Sequence, residues 1–120
     1  MPHIHVEYSA NIQQLDVKPL LLALNQAMLE GGYVAAANEV KSRALCQQDF
    51  VIGLDALDQA YIHIKVSLLT GRSIELQTEI SKTLLEVLKG FVPAQKGSIQ
   101  LCVEILEMNR ETYNKSVIIV

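Results

Sequence analysis

The residue whose type and position most directly allow chemistry is Pro2, which follows Met1 at the start of the chain. If Met1 is removed, Pro2 carries a free secondary amine, which is a base in its unprotonated form. An ordinary α-amino group has a pKa of roughly 7.7 to 8.0, and apolar surroundings or a nearby cation lower it. Pro2 is therefore a candidate catalytic base. From the residues alone, the alternative is an ordinary flexible terminus.

Arginine is scarce in this chain, which has only Arg43, Arg72 and Arg110. A guanidinium stays charged and presents a planar fork of donors, which fits a carboxylate or the charge that develops on an enolate oxygen. Arg72 directly precedes a predicted helix, and a helix N-terminus favours anions. This position supports an anion-binding role for Arg72. For Arg43 a surface salt bridge is an equal alternative.

The histidines and cysteines do not form a recognisable catalytic or metal-binding pattern. His3 and His5 share one face of a predicted strand and could bind zinc as a pair, but no third ligand is evident. We therefore expect a face that is solvated or contacts another subunit. Cys46 and Cys102 lie in apolar, strand-like sequence, which predicts small buried side chains rather than nucleophiles. We therefore expect no metal site.

Hydrophobic periodicity predicts the elements that must position these residues. Alternating apolar residues predict strands, and apolar residues three and four apart predict helices. A glycine pair, Gly31-Gly32, closes the first helix, and Ser73 is a plausible N-cap for the second, which runs to Gly90. In chain order we predict a strand from about residue 3, a helix over about 18–30, a strand over 40–46 and a strand over 61–68. The second helix follows, and the last strand runs over 99–105.

The order strand, helix, strand occurs twice, and Ile4-His5-Val6 lines up with Ile62-His63-Ile64. We interpret this as an internal duplication within a single domain, 1–120, made of two β-α-β repeats at about 2–47 and 60–107. A strand-helix-strand connection returns the strands parallel. The predicted fold class is α+β, a four-stranded sheet with two helices on one face. The other face then needs a cover from other copies.

Composition limits the classes of partner. Half of the residues are hydrophobic and 19% are charged, so we expect a homo-oligomer in which subunits cover each other's apolar surface. The net charge is -3 with no basic stripe, which argues against nucleic acid as a partner. No apolar run approaches the roughly 20 residues of a membrane span, and the start lacks a secretion-signal pattern, so a cytoplasmic protein with no membrane partner is expected.

Several short motifs, in order, resemble one family over nearly the whole chain. The chain is similar to 5-carboxymethyl-2-hydroxymuconate isomerase of the tautomerase superfamily, which includes 4-oxalocrotonate tautomerase and macrophage migration inhibitory factor. The matching segments are Met1-Pro2-His3, Val6-Glu7 with Ser9 to Ile12, Ser42-Arg43, Gly71-Arg72-Ser73 and Glu104-Ile105. The resemblance implies a tautomerase-like homotrimer.

The resemblance also implies a reaction. Pro2 would be the base of a cofactor-independent proton shift in a hydroxymuconate-type dienol, and Arg43 and Arg72 would bind this small-molecule carboxylate substrate. The product would be the 2-oxo-3-ene isomer of 5-carboxymethyl-2-hydroxymuconate. Two alternatives stay open: a tautomerase of another enol or keto acid, such as a phenylpyruvate-like one, and a non-catalytic trimeric binding protein.

Overall fold

A mixed β-sheet covered by two helices forms the body of the protein. The computed structural model describes residues 1–120. The elements are β1 (His3–Ser9), α1 (Val17–Glu30), a short 3-10 turn (Ala37–Glu39), β2 (Lys41–Gln47), β3 (Gln59–Leu69), α2 (Ile74–Lys89) and β4 (Ser98–Met108). The predicted α+β class is confirmed. The predicted helices agree with the structure to within one residue, and β4 runs three residues beyond its predicted end.

The strand order β2-β1-β3-β4 places the two first strands of the repeated pattern side by side at the centre of the sheet. β1 and β2 are parallel, as are β3 and β4, whereas β1 and β3 are antiparallel. Each β-α-β connection therefore returns its second strand to an outer position. The helices α1 and α2 contact each other and lie on the same face of the sheet, as predicted.

The register of β1 on β3 is symmetric about one residue pair. Val6 pairs with Ile64, which is also its counterpart when the two halves of the sequence are lined up. Ile4 and Tyr8 pair with Val66 and Ile62, so equivalent positions lie at equal distances on either side. A local twofold axis that relates the two β-α-β units therefore passes between Val6 and Ile64.

The core lies between the sheet and the helices. α1 buries Leu20, Leu24 and Met28, and α2 buries Ile80, Leu84 and Leu88, so each helix repeats an apolar residue every four positions and presents one stripe to the sheet. The central strand β3 supplies the largest share of the sheet's contribution: Ala60, Ile62, Ile64, Val66 and Leu68. Burying each of the larger aliphatic side chains contributes about 1.5–3 kcal/mol.

The opposite face of the sheet has no helix over it. Alternation along the strands directs His5, Arg43 and Leu45 to this open face, where they are exposed. The prediction that both cysteines are buried is wrong for this chain. Cys102 is exposed because its neighbours Leu101 and Val103 take the helix side of β4, and Cys46 is only half-buried. Neither α1 nor α2 is long and apolar enough to cross a membrane.

Candidate active site

Pro2 lies just before β1 and continues its pairing with β2. Its carbonyl oxygen accepts a hydrogen bond from the Lys41 amide at 3.1 Å, and the residue is buried. Met1 before it is half-buried. The Met1 α-amine donates to the main-chain oxygen of Glu39 and lies 4.0 Å from the Glu39 carboxylate. The start of the chain is thus held in place beside the sheet.

Arg72 lies in the turn that joins β3 to α2. Gly71 has a φ of 125°, which favours glycine, and the Ser73 hydroxyl accepts a hydrogen bond from the Leu76 amide and caps the helix. The Arg72 guanidinium donates from Nη1 to the Leu69 carbonyl and from Nη2 to the Tyr33 carbonyl, each at 3.4 Å. The turn and these two contacts fix the direction of the side chain.

Pro2 and Arg72 line the same cavity. Its volume is about 110 Å³, and its other lining residues are Met1, Val34, Glu39, Leu69 and Arg110. The two candidates meet because β1 and β3 are antiparallel neighbours, so the start of β1 lies beside the end of β3; His3 pairs with Ser67. Two of the three residues selected from the sequence therefore come together within one chain.

Arg43, the third candidate, lies elsewhere. It pairs with His5 on the open face of the sheet, is exposed, and lines a different cavity of about 360 Å³ together with His5, Glu7, Leu45, His63 and Lys65. The chain does not bring Arg43 into the cavity of Pro2. Because alternation assigns Arg43 to the open face, its position follows from the strand itself.

His3 connects Arg43 to the end of the chain. The Arg43 Nη2 atom lies 2.6 Å from His3 Nδ1, and His3 Nε2 lies 2.9 Å from the Tyr113 hydroxyl. Because arginine can only donate, His3 Nδ1 accepts, and in the neutral ring Nε2 then carries the proton and donates to Tyr113. Burial and, next, the charge of Arg43 lower the pKa of His3 below its usual value.

The environment at the start of the chain disfavours a protonated amine. The pKa of the Met1 α-amine is lowered from 8.0 to about 6. Burial is the largest cause, the Lys41 charge adds to it, and the Glu39 carboxylate opposes it. The Met1 α-amine is thus largely unprotonated at neutral pH.

Arg110 is a site residue that sequence reasoning missed. It follows β4 by two residues and lines the Pro2 cavity, with its Nε donating to the Thr70 carbonyl at 3.1 Å. The signal that could have found it is the topology: β3 and β4 are parallel, so the segments that follow them, which carry Arg72 and Arg110, leave the same edge of the sheet. Leu69 pairs with Met108 at that edge.

No arginine in the chain has a carboxylate partner within 4.0 Å; the three ion pairs present are Met1 with Glu39, His63 with Glu104, and Lys89 with Glu86. The cavity of Pro2 therefore holds two guanidiniums, and the Glu39 carboxylate in its lining pairs with the Met1 α-amine and with neither of them. No three histidine, cysteine or acidic side chains lie together in a metal-binding arrangement. Chemically, the cavity offers a chain terminus, the Glu39 carboxylate and two guanidiniums that suit an anionic ligand.

Comparison with known proteins gives one consistent result. A model of the 5-carboxymethyl-2-hydroxymuconate isomerase family matches residues 2–119. No curated protein sequence matches the chain.

Solved structures agree with the family match. A 5-carboxymethyl-2-hydroxymuconate isomerase from Deinococcus radiodurans R1 is 25% identical, with a TM-score of 0.86 over 96% of this chain and 88% of that one. A 5-carboxymethyl-2-hydroxymuconate delta-isomerase shares the fold at 21% identity, with a TM-score of 0.82 over 98% and 88% of the two chains. A fused 4-OT, solved as a symmetric trimer, shares the fold at 17% identity, with a TM-score of 0.65 over 88% and 85%.

These findings confirm the resemblance stated from the sequence and the expectation of an isomerase. The match spans both β-α-β units and includes Pro2 and Arg72, so it covers the cavity as well as the core. The chain belongs to the 5-carboxymethyl-2-hydroxymuconate isomerase family.

Proposed function

We propose that this isomerase shifts a proton in a hydroxymuconate-type dienol, converting 5-carboxymethyl-2-hydroxymuconate to its 2-oxo-3-ene isomer. The amine of Pro2, freed by removal of Met1, takes the proton from the dienol and returns it to a carbon further along the conjugated chain. The observation that supports this most strongly is that Pro2 and Arg72 line one small cavity in a chain of this family.

Removal of Met1 would change the cavity in two ways. The peptide nitrogen of Pro2 would become a secondary amine, which can act as a base. Met1 also lines the cavity, so its loss would widen the space available to a substrate. Both changes act at the same place, and a single trimming step would therefore supply the base and the room for its substrate.

The surroundings of Pro2 support a base at neutral pH. The neighbouring Met1 α-amine already has a pKa of about 6, and two guanidiniums line the cavity of Pro2. Burial and nearby cations both disfavour an ammonium ion. The pKa of the Pro2 amine should therefore also lie below that of a free secondary amine, although the Glu39 carboxylate acts in the opposite direction.

Arg72 would bind a substrate carboxylate and polarise the oxygen at the 2-position as charge develops there. We propose a homotrimer in which the open sheet faces pack together; the fused 4-OT relative was solved as a symmetric trimer. Arg43 lies on that face and outside its own chain's cavity. In the trimer it would act on substrate bound in the cavity of a neighbouring subunit.

The test compares two proline variants on the dienol substrate. We expect Pro2→Ala to lower kcat by about 100-fold or more, the usual contribution of a positioned base, while circular dichroism shows the same fold. The control is Pro19→Ala, at an exposed position in the first turn of α1, which should leave kcat unchanged. Intact mass should show active protein shorter by one methionine. Active protein that retains Met1, or full activity of Pro2→Ala, would overturn the mechanism.

A further inference from the structure

Arg110 places a second guanidinium at the cavity of Pro2 and Arg72. Its own segment holds it there: the turn after β4 is closed by hydrogen bonds from the Thr112 and Tyr113 amides to the Asn109 carbonyl, each at 3.1 Å. The Glu111 amide also donates to the Asn109 side chain at 2.9 Å. Arg110 therefore projects from a fixed turn rather than from a loose terminus.

The two guanidiniums at the cavity differ in the donors that they leave free. Arg72 uses Nη1 and Nη2 on the carbonyls of Leu69 and Tyr33. Arg110 uses only Nε, on the Thr70 carbonyl, and its two terminal nitrogens donate to no protein atom. These terminal nitrogens form one edge of the planar fork, and a carboxylate can accept from both of them at once.

No protein carboxylate neutralises either arginine, although Glu39 lines the same cavity. Both guanidiniums line this cavity, Arg72 half-buried and Arg110 exposed, so both can attract a bound anion. A substrate with one carboxylate would neutralise one of them. A substrate with two would neutralise both.

We propose that Arg110 binds a second substrate carboxylate and makes the enzyme selective for dienols with two or more carboxylates over enols with one. This inference rests on the proposed function, because it assigns the substrate class of the same site. Arg72 serves the carboxylate next to the reacting carbon and oxygen, and Arg110 serves a carboxylate further along the substrate.

The experiment measures KM and kcat for Arg110→Gln on 2-hydroxymuconate, which has two carboxylates, and on the enol of phenylpyruvate, which has one. Loss of a charge-assisted hydrogen bond should raise KM for the dicarboxylate about 10- to 100-fold. The kcat for that substrate and the KM for the monocarboxylate should stay within about threefold. Arg110→Lys should recover part of the affinity, since it restores the charge without the fork.

The matched control is Lys82→Gln, which removes the same charge from an exposed position of α2 that does not line the cavity. It should leave both KM values unchanged. Equal changes in KM for the two substrates, or none for either, would overturn the role of Arg110. A wild-type enzyme that converts neither of these substrates nor 5-carboxymethyl-2-hydroxymuconate would contradict the proposed function. In that case calorimetry with muconate, an unreactive dicarboxylate, decides the role of Arg110: tighter binding to wild type than to Arg110→Gln supports it, and equal binding refutes it.

Discussion

Pro2 and Arg72 are 70 positions apart in the chain, and the sequence alone gave no distance between them. Their meeting depends on one antiparallel contact, that of β1 with β3. The predicted β-α-β units specify parallel pairs only, so this contact was not contained in the periodicity. The resemblance of short motifs to the family supplied both residues before the sheet order was known.

The positions of Arg43 and Arg110, in contrast, could have been predicted from the geometry of the strands. The predicted alternation of β2 already set Arg43 on the face away from the helices, where it cannot reach the cavity in its own chain. Arg110 follows a strand parallel to β3 and so leaves the sheet at the edge where Arg72 lies. Scarcity drew attention to Arg43 and Arg72 and not to Arg110, whereas the strands show where each of the three lies.

At the residue scale, His3 and His5 should titrate below the usual histidine pKa of about 6.5. Burial is the main cause for both, and the charge of Arg43 is the next. Two-dimensional NMR should show both midpoints below 6.5. Arg43→Gln should move both midpoints upward because it removes the charge. Midpoints at or above 6.5 in the wild type would contradict burial and the Arg43 charge as causes of a lowered pKa.

The same shifts make stability depend on pH. Below about pH 6.5 the unfolded chain binds protons at these histidines before the folded chain does. Their contribution to the free energy of unfolding is therefore present above pH 6.5 and is lost as the pH falls through the lowered pKa values of the folded state.

At the scale of elements, Ser73 caps α2, as the sequence predicted. Ser73→Ala removes the hydroxyl that accepts from the Leu76 amide at 3.1 Å and should cost about 1 kcal/mol in the free energy of unfolding. Urea unfolding at one fixed protein concentration measures this.

Ser81→Ala is the matched control on the same helix. The Ser81 hydroxyl donates to the Thr78 carbonyl, which already belongs to the helical backbone pattern, and alanine is the better helix former. We expect this substitution to change the free energy of unfolding by about 0.5 kcal/mol or less. Equal losses for Ser73→Ala and Ser81→Ala would show that the cap contributes nothing.

Two features that were predicted less well from the sequence depend on neighbouring strands and helices. β4 extends to Met108 because it pairs with the end of β3, although Leu106 and Glu107 interrupt the apolar alternation. The prediction that Cys102 is buried rested on its apolar neighbours in the sequence. Those neighbours face the helices, whereas Cys102 is exposed. Periodicity describes which side a residue takes; it does not state what covers that side.

At the scale of the whole molecule, half of the residues are hydrophobic, yet only 18 of 120 are buried. Exposed aliphatic side chains include Leu45 on the open face and the final residues Val117, Ile118, Ile119 and Val120. A single chain thus leaves apolar surface that other copies can cover. This agrees with the oligomer expected from composition and proposed above.

Leu45→Asp should weaken the proposed trimer. Leu45 is 61% exposed on the open sheet face, so in the trimer the substitution would bury an unpaired charge between subunits. Leu22→Asp is the matched control, since Leu22 is 60% exposed on α1, on the opposite side of the sheet. Light scattering after size exclusion should show a smaller species for Leu45→Asp and an unchanged one for Leu22→Asp. An unchanged mass for Leu45→Asp would contradict packing through this face.

The local axis between Val6 and Ile64 has a consequence for how the protein can evolve. It maps the start of β1, with Pro2, onto the start of β3, where Ala60 is fully buried and paired with Ile99. Trimming can free the nitrogen of Pro2, whereas that of Ala60 always remains inside the chain. On the proposed mechanism, selection for a free terminal amine acts at one of these two equivalent positions and not at the other. Two ends with similar backbones are therefore free to diverge in sequence at different rates.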